Sequence, residues 1–191
     1  MLRRTSFATT VGVVVLTTAS LFAQGAWKTV FDGKDLSQWN AVGNANWKIV
    51  DGAVQADMGE GFLVSKAVYG DFELRAEIWV SEKANSGIFI RVEDPKQVTS
   101  SAYEVNIFDE SPRGFFSGAI VDVAKAASEV KAGGKWNTLE IVAKGSHFTI
   151  RLNGVTTVAD AVDSRRPRGA IALQYGAGTV KFRKVEIRTR G

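Results

Sequence analysis

The sequence predicts an all-β protein, a β-sandwich of two packed antiparallel sheets. Apolar and polar residues alternate with period two over most of the chain, the spacing of strands with one buried face. No stretch of ten or more residues has helical periodicity. Turn signals recur every eight to twelve residues, as between the short strands of a sandwich.

The elements follow in chain order. The opening, MLRRTSFATTVGVVVLTTASLFAQG, has Arg3 and Arg4 ahead of an apolar run, Val11 to Phe22. That run is short for a bilayer, and Ala23-Gln24-Gly25 supplies small residues for cleavage. Residues 1–25 therefore read as a secretory signal peptide. The expectation is a periplasmic or secreted protein, free of membrane once cleaved, with one domain over 26–191. WKIV and AVQAD flank Asp51-Gly52, a hairpin turn. DFELRAEIWV puts Phe72, Leu74, Ala76, Ile78 and Val80 on one face and Glu73, Arg75, Glu77 and Trp79 on the other. SGIFIRVE sets Ile88, Ile90 and Val92 against Phe89 and Arg91. NTLEIVAKG and HFTIRLNG alternate again, and Asn153-Gly154 signals a hairpin before VTTVA. DSRRPRG, the basic cluster, reads as a solvated loop.

Composition removes several function classes. There is no cysteine, hence no disulfide framework, thiol nucleophile or lipid attachment at a cleaved signal. The single histidine, His147, starts a strand and reads as a surface residue. A His-rich metal site or a dispersed Ser-His-Asp triad has almost nothing to draw on. The formal net charge is +4, two of the positive charges being Arg3 and Arg4. That balance does not suit nucleic acid.

The segment YEVNIFDE is unusual for a strand, because it carries Glu104, Asn106, Asp109 and Glu110. Tyr103, Val105 and Ile107 share one face, and Glu104, Asn106 and Phe108 the other. Regular alternation would bury Asp109 with the apolar set, which is costly without a partner. Either a bulge near Phe108 turns Asp109 to the Glu104 face, or the strand ends there and Asp109 opens a turn. Arg91, Gln174 and Trp79 also lie opposite apolar rows on their own strands. Gathered on one face, this set suits a sugar, with polar groups for hydroxyls and a ring for the apolar side of a pyranose. The same pattern fits a solvated face with cross-strand ion pairs.

FDGKDLSQW, DFELRAEIWV, NSGIFIR, YEVNIFD, GKWNTLEIVAKG, LNG and GAIALQYG followed by VKFRKVEIR occur in this order. Together they resemble the bacterial 3-keto-disaccharide hydrolase family, also called 3-keto-glucoside lyase/2-hydroxy-glucal hydratase, across the whole chain after the signal peptide. The resemblance implies a concanavalin A-like jelly roll. EVNIFD is also similar to the E-x-D-x-x-E strand of laminarinase-type glucanases, with Asn106 for the middle acid and Asp109 for the last. One departure stands out: family members often carry L-Q-x-H-G, and here LQYGAG puts Gly176 where that histidine would be.

The implied activity is cleavage of 3-keto glycosides by elimination and hydration, net hydrolysis of the glycosidic bond in a small carbohydrate. The site then needs a base, a cation or donors for an enolate oxygen, and an acid for the leaving oxygen. Glu104 is the candidate base and Arg91 the candidate for the oxyanion. A divalent metal held by Glu104 and Asp109 is the other possibility. Asn106 and Gln174 would orient hydroxyls, with Trp79 and Asn85 also toward substrate. The alternatives are a direct glycosidase using Glu104 and Asp109, and a carbohydrate-binding module without turnover. Trp39 reads as a pin between the N-terminal loop and the core, and Trp136 as core. Asn85-Ser86-Gly87 is either a turn into its strand or a shaper of the cleft through close backbone approach at Gly87.

Overall fold

A computed structural model describes residues 25–189. The signal-peptide reading falls outside the described residues, apart from Gly25. Thirteen strands and no helix make up the described chain. They are β1 (Lys28–Phe31), β2 (Trp39–Gly43), β3 (Lys48–Val50), β4 (Ala53–Ala56), β5 (Gly61–Tyr69) and β6 (Phe72–Val80). There follow β7 (Ser86–Val92), β8 (Tyr103–Ile107), β9 (Trp136–Lys144) and β10 (His147–Leu152). The last three are β11 (Val155–Val162), β12 (Gly169–Tyr175) and β13 (Val180–Thr189).

The strands form two antiparallel sheets, as the alternation requires. The eight-stranded sheet runs β11-β10-β9-β6-β13-β4-β3, with β1 also paired to β13. The five-stranded sheet runs β2-β5-β12-β7-β8. This is a concanavalin A-like jelly roll. Both predicted two-residue hairpins are present, with positive φ at Asp51 and Gly52 and at Asn153 and Gly154. Positive φ at both turn residues matches the twist of the flanking strands.

The core lies between the sheets. Phe72, Leu74, Ile78, Leu139, Ile141, Phe148 and Phe182 of the large sheet meet Leu63, Ile88, Ile90, Val105, Ile107 and Leu173 of the small one. Trp39 is buried beside them and donates from Nε1 to the Val30 carbonyl at 3.0 Å, pinning the N-terminal segment as expected. A second, smaller apolar cluster covers part of the outward side of the five-stranded sheet. It comprises Val64, Phe89, Val92, Ala170 and Ala172, with Val98 from the loop after β7.

Strand β7 breaks its alternation at Arg91. The pairing of β12 with β7 shifts between Ala170, opposite Val92, and Ala172, opposite Phe89. Two residues, Ile90 and Arg91, thus face one, and Arg91 has φ of 55°. This bulge carries Arg91 to the core side and Val92 outward, the reverse of the regular reading. Arg91 is 1% exposed. Its guanidinium lies 5.2 Å from the centre of the Phe148 ring. It donates to the carbonyls of Gly70 (3.1 and 3.2 Å), Gly145 (2.7 Å) and Arg166 (3.0 Å), and to Asp71 Oδ1 (3.2 Å). A buried cation needs such satisfaction to be tolerated.

Candidate active site on the outward face of the five-stranded sheet

The outward face of β8, β7 and β12 brings Glu104, Asn106 and Gln174 together. Phe89 pairs with Glu104 and Gly87 with Asn106, while Leu173 pairs with Ile88. Gly87 therefore sits between Glu104 on one neighbour and Gln174 on the other. A Cβ there would lie 3.2 Å from Glu104 Oε1 and 3.3 Å from Gln174 Oε1. Glycine leaves room for both side chains to close over its backbone, the close-approach reading of this position.

Glu104 is half-buried, and among the described residues its carboxyl has no hydrogen-bond or ion-pair partner. Burial pushes its pKa up to about 7, with nearby Arg113 pulling it down and Asp122 pushing it up. A carboxyl poised near neutrality can take a proton in one step and return it in the next. The Gln174 Oε1 atom is buried with no partner. Buried acceptors are normally satisfied, so this oxygen lacks a donor that a bound hydroxyl could supply. Asn106 is 4% exposed and donates from Nδ2 to the Phe115 carbonyl. Asn106 thus holds the wall of the site, with one of its two amide hydrogens committed to that bond.

That wall is the loop after β8, folded back over the strand's free edge. Asn106 N–H donates to Ala119 O (2.9 Å), Gly118 N–H to Asn106 O (2.8 Å), and Val121 N–H to Glu104 O (3.0 Å). It carries Arg113 and Asp122, which form an ion pair. Neither was singled out from the sequence. Loop residues have no period, and nothing local marks them as neighbours of Glu104.

Three expected members of the site lie elsewhere. Arg91 is spent on three loops and Asp71 inside the sandwich end, as described above, and cannot meet a substrate. Asp109 follows the end of β8 at Ile107, so the turn alternative holds and no bulge returns it to the Glu104 face. Its carboxylate accepts from Ser117 Oγ (2.6 Å) and from the N–H groups of Ala132 (3.0 Å) and Gly133 (2.9 Å). It staples two loops. Trp79 faces outward from the other sheet, opposite Trp136, with Lys181 Nζ 5.1 Å from its ring centre. Trp136 is not core either: it is 38% exposed, under Arg183 at 3.9 Å.

The donor set does not fit a divalent metal shared by Glu104 and Asp109, since the Asp109 oxygens already accept three donors. Among the described residues no three His, Asp or Glu side chains gather as metal ligands. His147 is an exposed residue bonded to Asp160 (2.8 Å). The DSRRPRG loop is less free than expected. Arg165 pairs with Asp163, and the Tyr103 hydroxyl donates to Asp163 Oδ1 (2.7 Å) and accepts from Arg166 N–H (2.9 Å).

The outward face of the large sheet is a polar surface of another kind. Arg188 meets Glu73 (2.5 Å), Arg75 meets Glu186 (2.5 Å) and Arg183 meets Glu77 (2.6 Å). A hollow of about 510 Å³ opens there beside Trp27. Its Arg75 and Arg188 stack on the Trp27 ring at 4.3 and 4.8 Å.

Residues 26–188 match the model of the 3-keto-alpha-glucoside-1,2-lyase-like domain. The chain belongs to this family. No curated protein matches it. It is similar to two solved structures from Parabacteroides distasonis, each described as a "putative glycosyl hydrolase". One has 18% identity and a TM-score of 0.77, covering 86% of this chain and 94% of the other. The second has 25% identity and a TM-score of 0.72, covering 86% and 99%. It is also similar in fold to the carbohydrate-binding module CBM66 from Bacillus subtilis, at 22% identity and a TM-score of 0.63, covering 78% and 93%. Against the family's terminal motif, Gly176 stands next to Asn85. A Cβ there would lie 3.0 Å from Asn85 O and 3.1 Å from Asn85 Nδ2. Gly176 follows the end of β12 and Asn85 precedes β7, where the backbone N–H groups of Gly176 and Ala177 both donate to Asn85 O at 3.0 and 3.1 Å.

Proposed function

We propose that this is an exported carbohydrate-active enzyme that cleaves 3-keto glycosides, with Glu104 as the base. The observation that carries this reading is Glu104 itself, an unpartnered, half-buried carboxyl with a pKa of about 7 beside the orphan oxygen of Gln174. The family and its hydrolase-like and sugar-binding neighbours support a carbohydrate as the ligand. The signal-peptide pattern supports export.

In the proposed reaction the 3-keto group acidifies the proton at C2. Glu104 carboxylate takes that proton, and the C–H electron pair forms the enolate. The enolate collapses, the C1 oxygen leaves with a proton, and water then adds across the C1–C2 double bond. The net change is one water consumed and one glycosidic bond cleaved. Gln174 Oε1 would accept from a sugar hydroxyl and fix the ring over Gly87. A two-carboxylate glycosidase is not supported, because Asp109 is committed to Ser117 and two backbone N–H groups.

The test is incubation of purified protein with 3-keto-trehalose or a 3-keto-glucoside, with and without divalent metal, following sugar release. Release by the wild type and its loss in Glu104→Gln are expected. Sugar binding without turnover on any 3-keto glycoside would leave a carbohydrate-binding module.

A further inference from the structure

We propose that Arg113, held by Asp122 at the rim of the five-stranded face, is the cation that meets the substrate oxygen on which negative charge gathers when Glu104 takes a proton. This rests on the reading of Glu104 as base. Enolate formation needs such a group, and the buried Arg91 cannot supply it.

The neighbours of Glu104 leave few candidates. Across β7 it faces Gly87 and Phe89, and beyond them Gln174 on β12, all uncharged. The loop after β8 brings Arg113 and Asp122, and also Lys125, whose Nζ lies 5.9 Å from the Phe115 ring centre and is not among the charges that act on Glu104. The loop over 163–168 brings Arg165 into the field of Asp122, but Arg165 is bound to Asp163 at 2.6 Å. Arg113 is the cation whose charge acts on Glu104 most directly, in opposition to Asp122.

The loop is built to keep that cation close. Phe115, two residues beyond Arg113, accepts the Asn106 side-chain bond through its carbonyl. Val121, next to Asp122, donates to the Glu104 carbonyl at 3.0 Å. Both ends of the ion pair are thus fastened to β8 within two residues. The paired side chains themselves are exposed, at 61% and 58% for Arg113 and Asp122. Exposed pairs of this kind contribute little to stability, so the guanidinium leaves Asp122 at small cost. The Phe115 ring, 5.6 Å from the Arg113 guanidinium, gives it a surface to rest on as it turns.

In the step itself Glu104 accepts the carbon-bound proton, the C–H pair becomes a C=C bond, and the carbonyl π pair moves to oxygen. Arg113 donates an N–H to that oxygen and stays a guanidinium throughout. When the pair returns, the C1 oxygen departs and takes the proton held by Glu104. The carboxylate is restored.

The experiment compares kcat, KM and pH profile on a 3-keto-glucoside for Arg113→Gln, Arg113→Lys, Asp122→Asn and Glu104→Gln. A ¹³C NMR titration of the Glu104 carboxyl accompanies it. Arg113→Gln is expected to lower kcat roughly 10²–10³-fold with a KM near wild type, the usual loss on removing one oxyanion donor. Arg113→Lys should recover part of the rate. The midpoint of the Glu104 titration and of the ascending pH limb should rise in Arg113→Gln and fall in Asp122→Asn. A kcat for Arg113→Gln close to wild type, with Glu104→Gln inactive, overturns the assignment of Arg113 and leaves the base in place. Full turnover by Glu104→Gln, or none by the wild type, overturns the base and Arg113 with it.

Discussion

The two outward faces of the sandwich carry similar residues to opposite effect. On the eight-stranded sheet Glu73, Glu77 and Glu186 each meet an arginine across the strands at 2.5–2.6 Å. On the five-stranded sheet Glu104 meets no cation directly among the described residues and titrates near 7. The first arrangement holds charge still, as a solvated β-face normally does. The second leaves a carboxyl desolvated and uncompensated, which costs stability and is the usual signature of a group kept for chemistry. A count of acids would rank the large face higher, whereas the state of each acid points to the small one.

The sharpest way to break this comparison is to neutralise one acid on each face. Glu104→Gln should lower turnover of a 3-keto glycoside by roughly 10²–10⁴-fold, the typical contribution of a positioned base. Glu77→Gln should leave it unchanged. Steady-state rates decide, and equal losses in both would end the distinction.

Stability should separate the faces in the same direction. The folded-state pKa of Glu104, about 7, lies above its ordinary value of 4.5. The folded state therefore holds the extra proton, and its stability falls as pH rises between these values and stays reduced above them. Glu104→Gln should remove that slope and stabilise the protein at pH 8 by at most roughly 3 kcal/mol. Denaturant unfolding at pH 5 and pH 8 measures it. A wild-type stability that rises over this interval while the mutant stays flat would refute the assigned shift.

A smaller effect is expected from Gly87→Ala. The new methyl would press on Glu104 and Gln174 at 3.2 and 3.3 Å. Both contacts are with movable side-chain ends, so the fold should lose only about 1 kcal/mol. The rate should fall about tenfold as the two groups are pushed apart. Unchanged kcat/KM would mean that their approach over Gly87 has no bearing on the chemistry. Smallest of all, Arg183→Gln on the large face should cost less than about 1 kcal/mol and depend on salt, as exposed pairs do. A loss of several kcal/mol in thermal unfolding would show that the cross-strand pairs are more than a solvated surface.

Alternation along each strand made the two sheets and the outward position of Glu104 and Gln174 readable in the sequence, and the dipeptides Asp51-Gly52 and Asn153-Gly154 did the same for both tight hairpins. Alternation could not reveal which outward face a residue joins. Trp79 and Glu104 both lie opposite apolar rows, but their strands belong to different sheets, and parity carries no information about that. Arg91 escaped for another reason. A single inserted residue reverses inside and outside from that point on, and only the partner strand shows the shift. Asp109 sits past the strand end, where parity stops applying. Arg113 and Asp122 lie in a loop held by backbone bonds to β8, and those bonds involve no particular side-chain type.

The Arg91 knot also bears on the order in which the chain assembles. Its donors reach Gly70, Gly145 and Arg166, segments from three distant parts of the sequence. Until all three arrive the guanidinium keeps its water, because a partly satisfied buried cation is worse than a solvated one. Closure of this end of the sandwich is therefore expected to come late, on the native side of the folding barrier, which unfolding and refolding rates of an Arg91 variant test. Interactions made that late govern how slowly a protein comes apart more than how quickly it forms. Arg91→Met should accelerate unfolding while leaving the refolding rate almost untouched. Arg91, which lies outside the candidate site, then sets how long the folded Glu104 face persists.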